Sequence, residues 1–112
     1  MDKSLKKKWI AKLRSGDIKQ GRGYLCNSRG NMCCLGVLGH VQGLSNKELK
    51  RDSIFEEITL PTGYNAGLRK STREKLARMN DGLLKDEIVS IDQKVIPGKS
   101  FLEIADWIEE NL

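Results

Sequence analysis

The chain has 112 residues, 38% hydrophobic and 31% charged, with a formal net charge of +5. That balance fits one folded domain spanning residues 1–112 rather than a disordered chain, and no run approaches the ~18 consecutive apolar residues of a membrane helix. Lysines stand where a signal peptide needs an apolar stretch, and the odd cysteine count (Cys26, Cys33, Cys34) suits a reducing compartment, so a cytoplasmic protein without a disulfide framework is expected.

Leu5, Trp9, Ile10 and Leu13 recur at helical spacing with lysines between them, which predicts an amphipathic helix over residues 3–15 that stops at Ser15-Gly16. Gly21 and Gly23 bracket Arg22 in a connector. Tyr24-Leu25-Cys26 and Met32-Cys33-Cys34-Leu35 flank the turn signal Ser28-Arg29-Gly30-Asn31 and read as a β-hairpin. Leu35, Val37, Leu38 and Val41, with Gly36 and Gly39 among them, predict a short helix whose glycines permit close packing. Each such glycine costs about 1 kcal/mol in a helix interior, so tertiary contact must compensate. Residues 45–70 are irregular, with at most one short helix. Ser71-Thr72-Arg73-Glu74 is a capping-box pattern opening a helix that carries Leu76 and Met79 and stops at Asn80-Asp81-Gly82. Residues 87–91 alternate as a strand, residues 94–96 pair with it, and Pro97-Gly98 is a turn. A second capping box, Ser100-Phe101-Leu102-Glu103, starts a helix with Phe101, Ile104, Ala105, Ile108 and Leu112 on one face.

These elements predict a small α+β domain: an N-terminal helix, a β-hairpin, a short glycine-containing helix, and C-terminal helices packed on a small sheet. Trp9, Leu13, Leu35, Leu38, Leu76, Phe101, Ile104 and Ile108 are the expected core.

The charge is unevenly spread. Residues 1–31 hold nine Lys/Arg against Asp2 and Asp17, a local +7, which leaves −2 for the remainder. The distribution suggests either an anionic partner for the N-terminal third or complementation between the two ends of the chain.

No residue constellation carries a catalytic site, and no cofactor is expected. Cys26, Cys33, Cys34 and His40 are the metal alternative. Their spacings lack the Cys-x₂₋₄-Cys pair of a zinc site, and packing cysteines are the simpler reading. A Cys34 nucleophile at a helix start has only His40 as a base, more than one and a half turns on and without an orienting acid. Asn80-Asp81 has the look of a C-cap turn, Glu103 and Asp106 lie on an exposed face, and Gly21-Arg22-Gly23 is no Walker loop.

Binding is the stronger class. Lys19, Arg22 and Arg29 form a basic segment whose glycines let a phosphate approach the backbone, for nucleic acid or a phosphorylated nucleotide. For a protein partner, Arg22, Tyr24, Phe55 and Tyr64 are the candidate anchors.

Two blocks of sequence carry a resemblance: Trp9-Ile10-Ala11-Lys12-Leu13-Arg14-Ser15-Gly16 with Gln20-Gly21-Arg22-Gly23-Tyr24-Leu25 and Met32-Cys33-Cys34-Leu35-Gly36-Val37-Leu38; and Leu76-Ala77-Arg78-Met79-Asn80-Asp81 with Lys99-Ser100-Phe101-Leu102-Glu103-Ile104-Ala105-Asp106-Trp107-Ile108-Glu109. Their order resembles a family of small proteins encoded by bacteriophages and prophages. The family often places a further cysteine where this chain has Gly39, and residues 83–97 are longer than usual. The resemblance implies a phage accessory protein in a bacterial cytoplasm that binds and modulates or inhibits a host protein, defence components included.

Overall fold

The computed structural model describes residues 1–51, 60–61, 63–82 and 98–112. Five helices occur among them: α1 (Lys3–Ser15), α2 (Cys34–Val41), α3 (Asn46–Arg51), α4 (Lys70–Asp81) and α5 (Phe101–Asn111). The expected strand pair at residues 87–91 and 94–96 and the anchor Phe55 lie outside the described residues.

The core is as expected: Trp9, Leu13, Leu35, Leu38, Leu76, Phe101, Ile104 and Ile108 are all buried in one cluster. α2 is its centre. Cys34, Leu35, Gly36, Val37, Leu38 and Gly39 are all buried, which is how a short helix apolar on every side must sit. α1, α3 and α4 pack against it, and α5 lies on α1 and α4. The Trp9 indole N–H donates to the Cys34 carbonyl at 2.8 Å, tying α1 to the first turn of α2. Gly39 lets Leu44, Leu49 and Leu60 close over the far end of that helix.

The α+β expectation is corrected: no strand is present among the described residues. The predicted hairpin reduces to two isolated bridges, both made by Met32, one parallel to Gln20 and one antiparallel to Cys26. The turn between them does form. Asn27 Oδ1 accepts from the backbone N–H of Arg29 at 2.9 Å and of Asn31 at 3.1 Å. Pairing ends there because Cys33 already serves as the N-cap of α2, its sulfur accepting from Gly36 N–H at 3.4 Å. The segment read as a returning strand is therefore half helix cap and half helix.

α1 is capped by Asp2 and ends on left-handed Gly16, and α5 carries the complete Ser100/Glu103 capping box. The box predicted at Ser71 is not used. α4 starts from Arg69, which makes no side-chain cap, so Ser71 lies inside the first turn.

The uneven charge is resolved in part within the chain. Arg14 of α1 pairs with Asp106 at 2.8 Å and Glu109 at 2.6 Å on α5, and Lys6 Nζ donates to the Glu109 carbonyl at 3.3 Å. Lys12 pairs with Asp17 at 3.2 Å. Exposed pairs stabilise little, but these engage Lys6, Lys12 and Arg14 of α1 and leave Lys3, Lys7 and Lys8 as its exposed basic groups. No helix among the described residues is long and apolar enough to cross a membrane.

Candidate functional site

The densest polar constellation lies where the α1–α2 loop meets the end of α4. Its centre is Asn80, fully buried. Its Oδ1 accepts from Gln20 Nε2 at 2.9 Å and from the backbone N–H of Cys34 at 3.2 Å. Its Nδ2 donates to the Gly21 carbonyl at 2.9 Å and to Asp81 Oδ1 at 2.8 Å. All four positions of the amide are filled, as a buried Asn requires. Asp81 Oδ1 also accepts from Gly23 N–H at 3.0 Å.

Gln20 extends the clasp to α5. Its Nε2 donates to the Lys99 carbonyl at 2.8 Å, and its Oε1 accepts from Phe101 N–H at 3.1 Å. Two side-chain amides thus join the loop, the start of α2, the end of α4 and the start of α5.

Sequence reasoning missed this clasp. Asn80 had a legible signal: it lies four residues after the buried Leu76, on the same helix face, where a polar group needs an explanation. Gln20 had none, because its partners lie 60 to 81 positions away.

The predicted binding residues separate into two places. Lys19, Arg22 and Arg29 belong to one folded loop, in which Met32 bonds to both Lys19 and Gly21 while Gly21 packs on Asn31. All three are exposed. Tyr24, on the same loop, is 42% exposed. Tyr64 belongs elsewhere. It packs partly buried against the core, and its carbonyl accepts from Gln42 Nε2 at 2.7 Å, beyond the C-terminal end of α2. Arg22 bonds to Asn80 at the opposite end of that helix, about 12 Å away for eight residues. No acidic residue occurs between Asp17 and Glu48, so the loop itself carries only positive charge, and Asp81 of α4 is the carboxylate that meets it, at Gly23 N–H.

The backbone of this surface is already committed. Gly21 N–H donates to the Met32 carbonyl at 2.7 Å, Gly30 N–H to the Asn27 carbonyl at 2.9 Å, and Gly23 N–H to Asp81. A phosphate cradle needs such amides free and convergent. Here they are consumed, and a carboxylate sits against one of them.

The cysteines are buried and packed. Burial pushes the Cys33 thiol up to about 12, the hydrogen bond from Gly36 N–H offsetting only part of that, with nearby Asp81 raising it further. Cys34 is raised well above 9.0 by burial first, then by Cys33 and Asp81. Its thiol donates to the Leu76 carbonyl at 3.5 Å. Both are protonated at neutral pH and are poor nucleophiles or metal ligands as they stand. His40 is in the last turn of α2, six residues from Cys34 and about 9 Å further along the axis. No three His, Cys, Asp or Glu side chains among the described residues come close enough to hold a metal ion.

A pH dependence follows. The unfolded thiols ionise near 9 while the folded ones do not, so the unfolded state binds fewer protons above that pH. Stability contributed by the neutral thiols is full below pH 9 and falls as pH rises towards 12. The slope is up to about 1.4 kcal/mol per pH unit for each thiol. Urea midpoints at pH 8.0 and 10.5 check this: the wild-type decrease is expected to shrink in Cys33→Ser. Equal decreases in both proteins would refute it.

A small helical domain with its loops fastened by buried amides, and with a cationic loop as its most distinctive surface, is the class this structure defines. The family described as a domain of unknown function (DUF8296) matches residues 1–112, and the chain belongs to that family. No curated protein and no solved structure matches the chain.

Proposed function

We propose that this protein is a phage accessory factor that acts in the bacterial cytoplasm by binding and inhibiting a host protein, as an anti-defence factor. The phage assignment rests on the sequence resemblance. The binding mode rests on one structural observation: Arg22 and Tyr24 project from a loop whose backbone is locked from beneath by Asn80, Asp81 and Met32. Arginine and tyrosine are the residue types that anchor protein interfaces, and an anchor held in place loses little entropy on binding.

The same observation weighs against the nucleic-acid or nucleotide reading through Lys19, Arg22 and Arg29. The amides that would grip a phosphate are spent. Only side-chain charge remains, and Lys12 and Arg14 of the basic third are already paired.

The test is capture from nuclease-treated host lysate by the tagged full chain. One host protein in stoichiometric amount, lost with Arg22→Ala/Tyr24→Ala, is the expected result. A duplex held through three phosphates would lose about 40-fold in affinity over a fourfold rise in salt. Recovery of nucleic acid with that salt dependence, or capture unaffected by the double substitution, would overturn the proposal.

A further inference from the structure

Arg22 is held in a way its neighbours are not. Its Nε–H donates to the Asn80 carbonyl at 3.0 Å. The residue before it is fixed through the Gly21 carbonyl to Asn80 Nδ2, and the residue after it through Gly23 N–H to Asp81 Oδ1. Three consecutive loop residues are thus pinned by two consecutive residues at the end of α4. Gly98 closes the arrangement from the other side. A Cβ there would strike the Asn80 carbonyl and lie 2.7 Å from Arg22 Nε, so the guanidinium fits only because residue 98 has no side chain.

We infer that Asn80 and Asp81 are positioning residues that preset the Arg22 guanidinium as a fork for a carboxylate on the protein partner. With Nε engaged, the group presents its two terminal nitrogens end-on, and among the described residues no acceptor meets them. That fork matches the two oxygens of a carboxylate, a geometry a lysine cannot reproduce. A phosphate meets the same fork, but the glycine amides that usually complete a phosphate site are already bonded within the chain. The carboxylate rests on the reading of the loop as a protein-binding surface; the positioning of Arg22 is a property of the chain by itself.

Nitrogen-15 NMR of the full chain separates the two. In the wild type, Arg22 Nε–H and Gly23 N–H are expected to exchange at least tenfold more slowly than the Arg29 side chain's Nε–H. Asp81→Ala is expected to abolish the Gly23 protection while the amides of α1 and α5 keep theirs, and Asp81→Asn, which keeps an acceptor oxygen, to retain it. A blocked tetraglutamate peptide and inorganic phosphate are then titrated at constant ionic strength. The peptide is expected to shift the Arg22 Nε–H signal, at least fivefold more weakly in Asp81→Ala than in Asp81→Asn, which removes the same charge, and to lose its site in Arg22→Lys. Unprotected Arg22 Nε–H in the wild type overturns the positioning role even if a host partner is captured. Phosphate binding more tightly than the peptide, with its shift at Gly23 N–H, overturns the carboxylate assignment. Failure to capture a host protein while Arg22 remains protected counts against the proposed function alone.

Discussion

Asn80→Leu is expected to cost about 3–5 kcal/mol, a large share of the ~5–15 kcal/mol total stability usual for a domain. Leucine nearly matches the volume, so cavity formation is a minor part of the effect. The damage is to the partners. Gly21 carbonyl and Cys34 N–H lose their bond to a fully buried group and stay dry. Each such orphan costs about 1–3 kcal/mol. Gln20 and Asp81 are half-buried and recover part of their loss from water.

Asn80→Asp distinguishes hydrogen bonding from packing. The carboxylate keeps the two acceptor contacts but turns an oxygen towards the Gly21 carbonyl and Asp81 Oδ1, where the amide donated. Its folded-state pKa is raised, because only the protonated acid donates there. The added stability is present at low pH and lost as pH rises, so the deficit relative to wild type is expected to be smaller at pH 4 than at pH 7. Urea unfolding followed by far-UV circular dichroism measures both variants. A loss under about 1 kcal/mol for Asn80→Leu would show that the clasp does not hold the fold together.

The contrast between α5 and the supposed hairpin explains what the sequence could and could not reveal. In α5 every signal is local and they agree: an apolar face at period 3.6, Ser100 as cap, Glu103 closing the box. α1 is similar, from Asp2 to Gly16. The segment around Met32 carries no such agreement. Its apolar run suits strand or buried helix equally, and the choice is made by tertiary structure. Cys33 caps a helix that the surrounding helices bury on all sides, and Met32 divides its pairing between two neighbours from different directions. Ser71 shows the opposite failure: a genuine cap pattern overridden because the chain enters α4 from Arg69. The loop surface was half legible. Basic residues and glycines marked residues 19–29, but glycine served close packing of Gly21 on Asn31 rather than access for an anion. Whether a glycine amide is free depends on Met32 and Asp81, and the latter is remote in sequence.

Gly36→Ala carries the second large effect, and two opposing terms decide its sign. Within α2 the change should help, since alanine is favoured over glycine by about 1 kcal/mol in a helix interior. Against that, a Cβ at this position would run into the Leu25 carbonyl oxygen, with the carbonyl carbon at 2.8 Å and Met32 Cβ at 3.2 Å. These are mostly backbone atoms of a loop held by the Met32 bonds to Lys19 and Gly21 and by the Asn27 turn. No rotamer change relieves the contact; the helix or the loop must move. Overpacking of this kind costs typically 1–3 kcal/mol and more where backbone is displaced, so a net loss of about 2 kcal/mol or more is expected. Gly39→Ala is the control. Its Cβ would also come within 3.0 Å of neighbours, but these are the terminal methyls of Leu49, Leu60 and Leu44, which can rotate aside. Its loss should be at least about 1 kcal/mol smaller. Urea midpoints for the two variants give the ranking directly, and a Gly39→Ala as damaging as Gly36→Ala would mean that α2 is not seated on the Leu25 carbonyl. The seating bears on function because Leu25 follows Tyr24. A helix pushed off that carbonyl shifts the residue next to the exposed tyrosine, so a Gly36→Ala protein that still folds should bind its partner more weakly than its stability alone would imply.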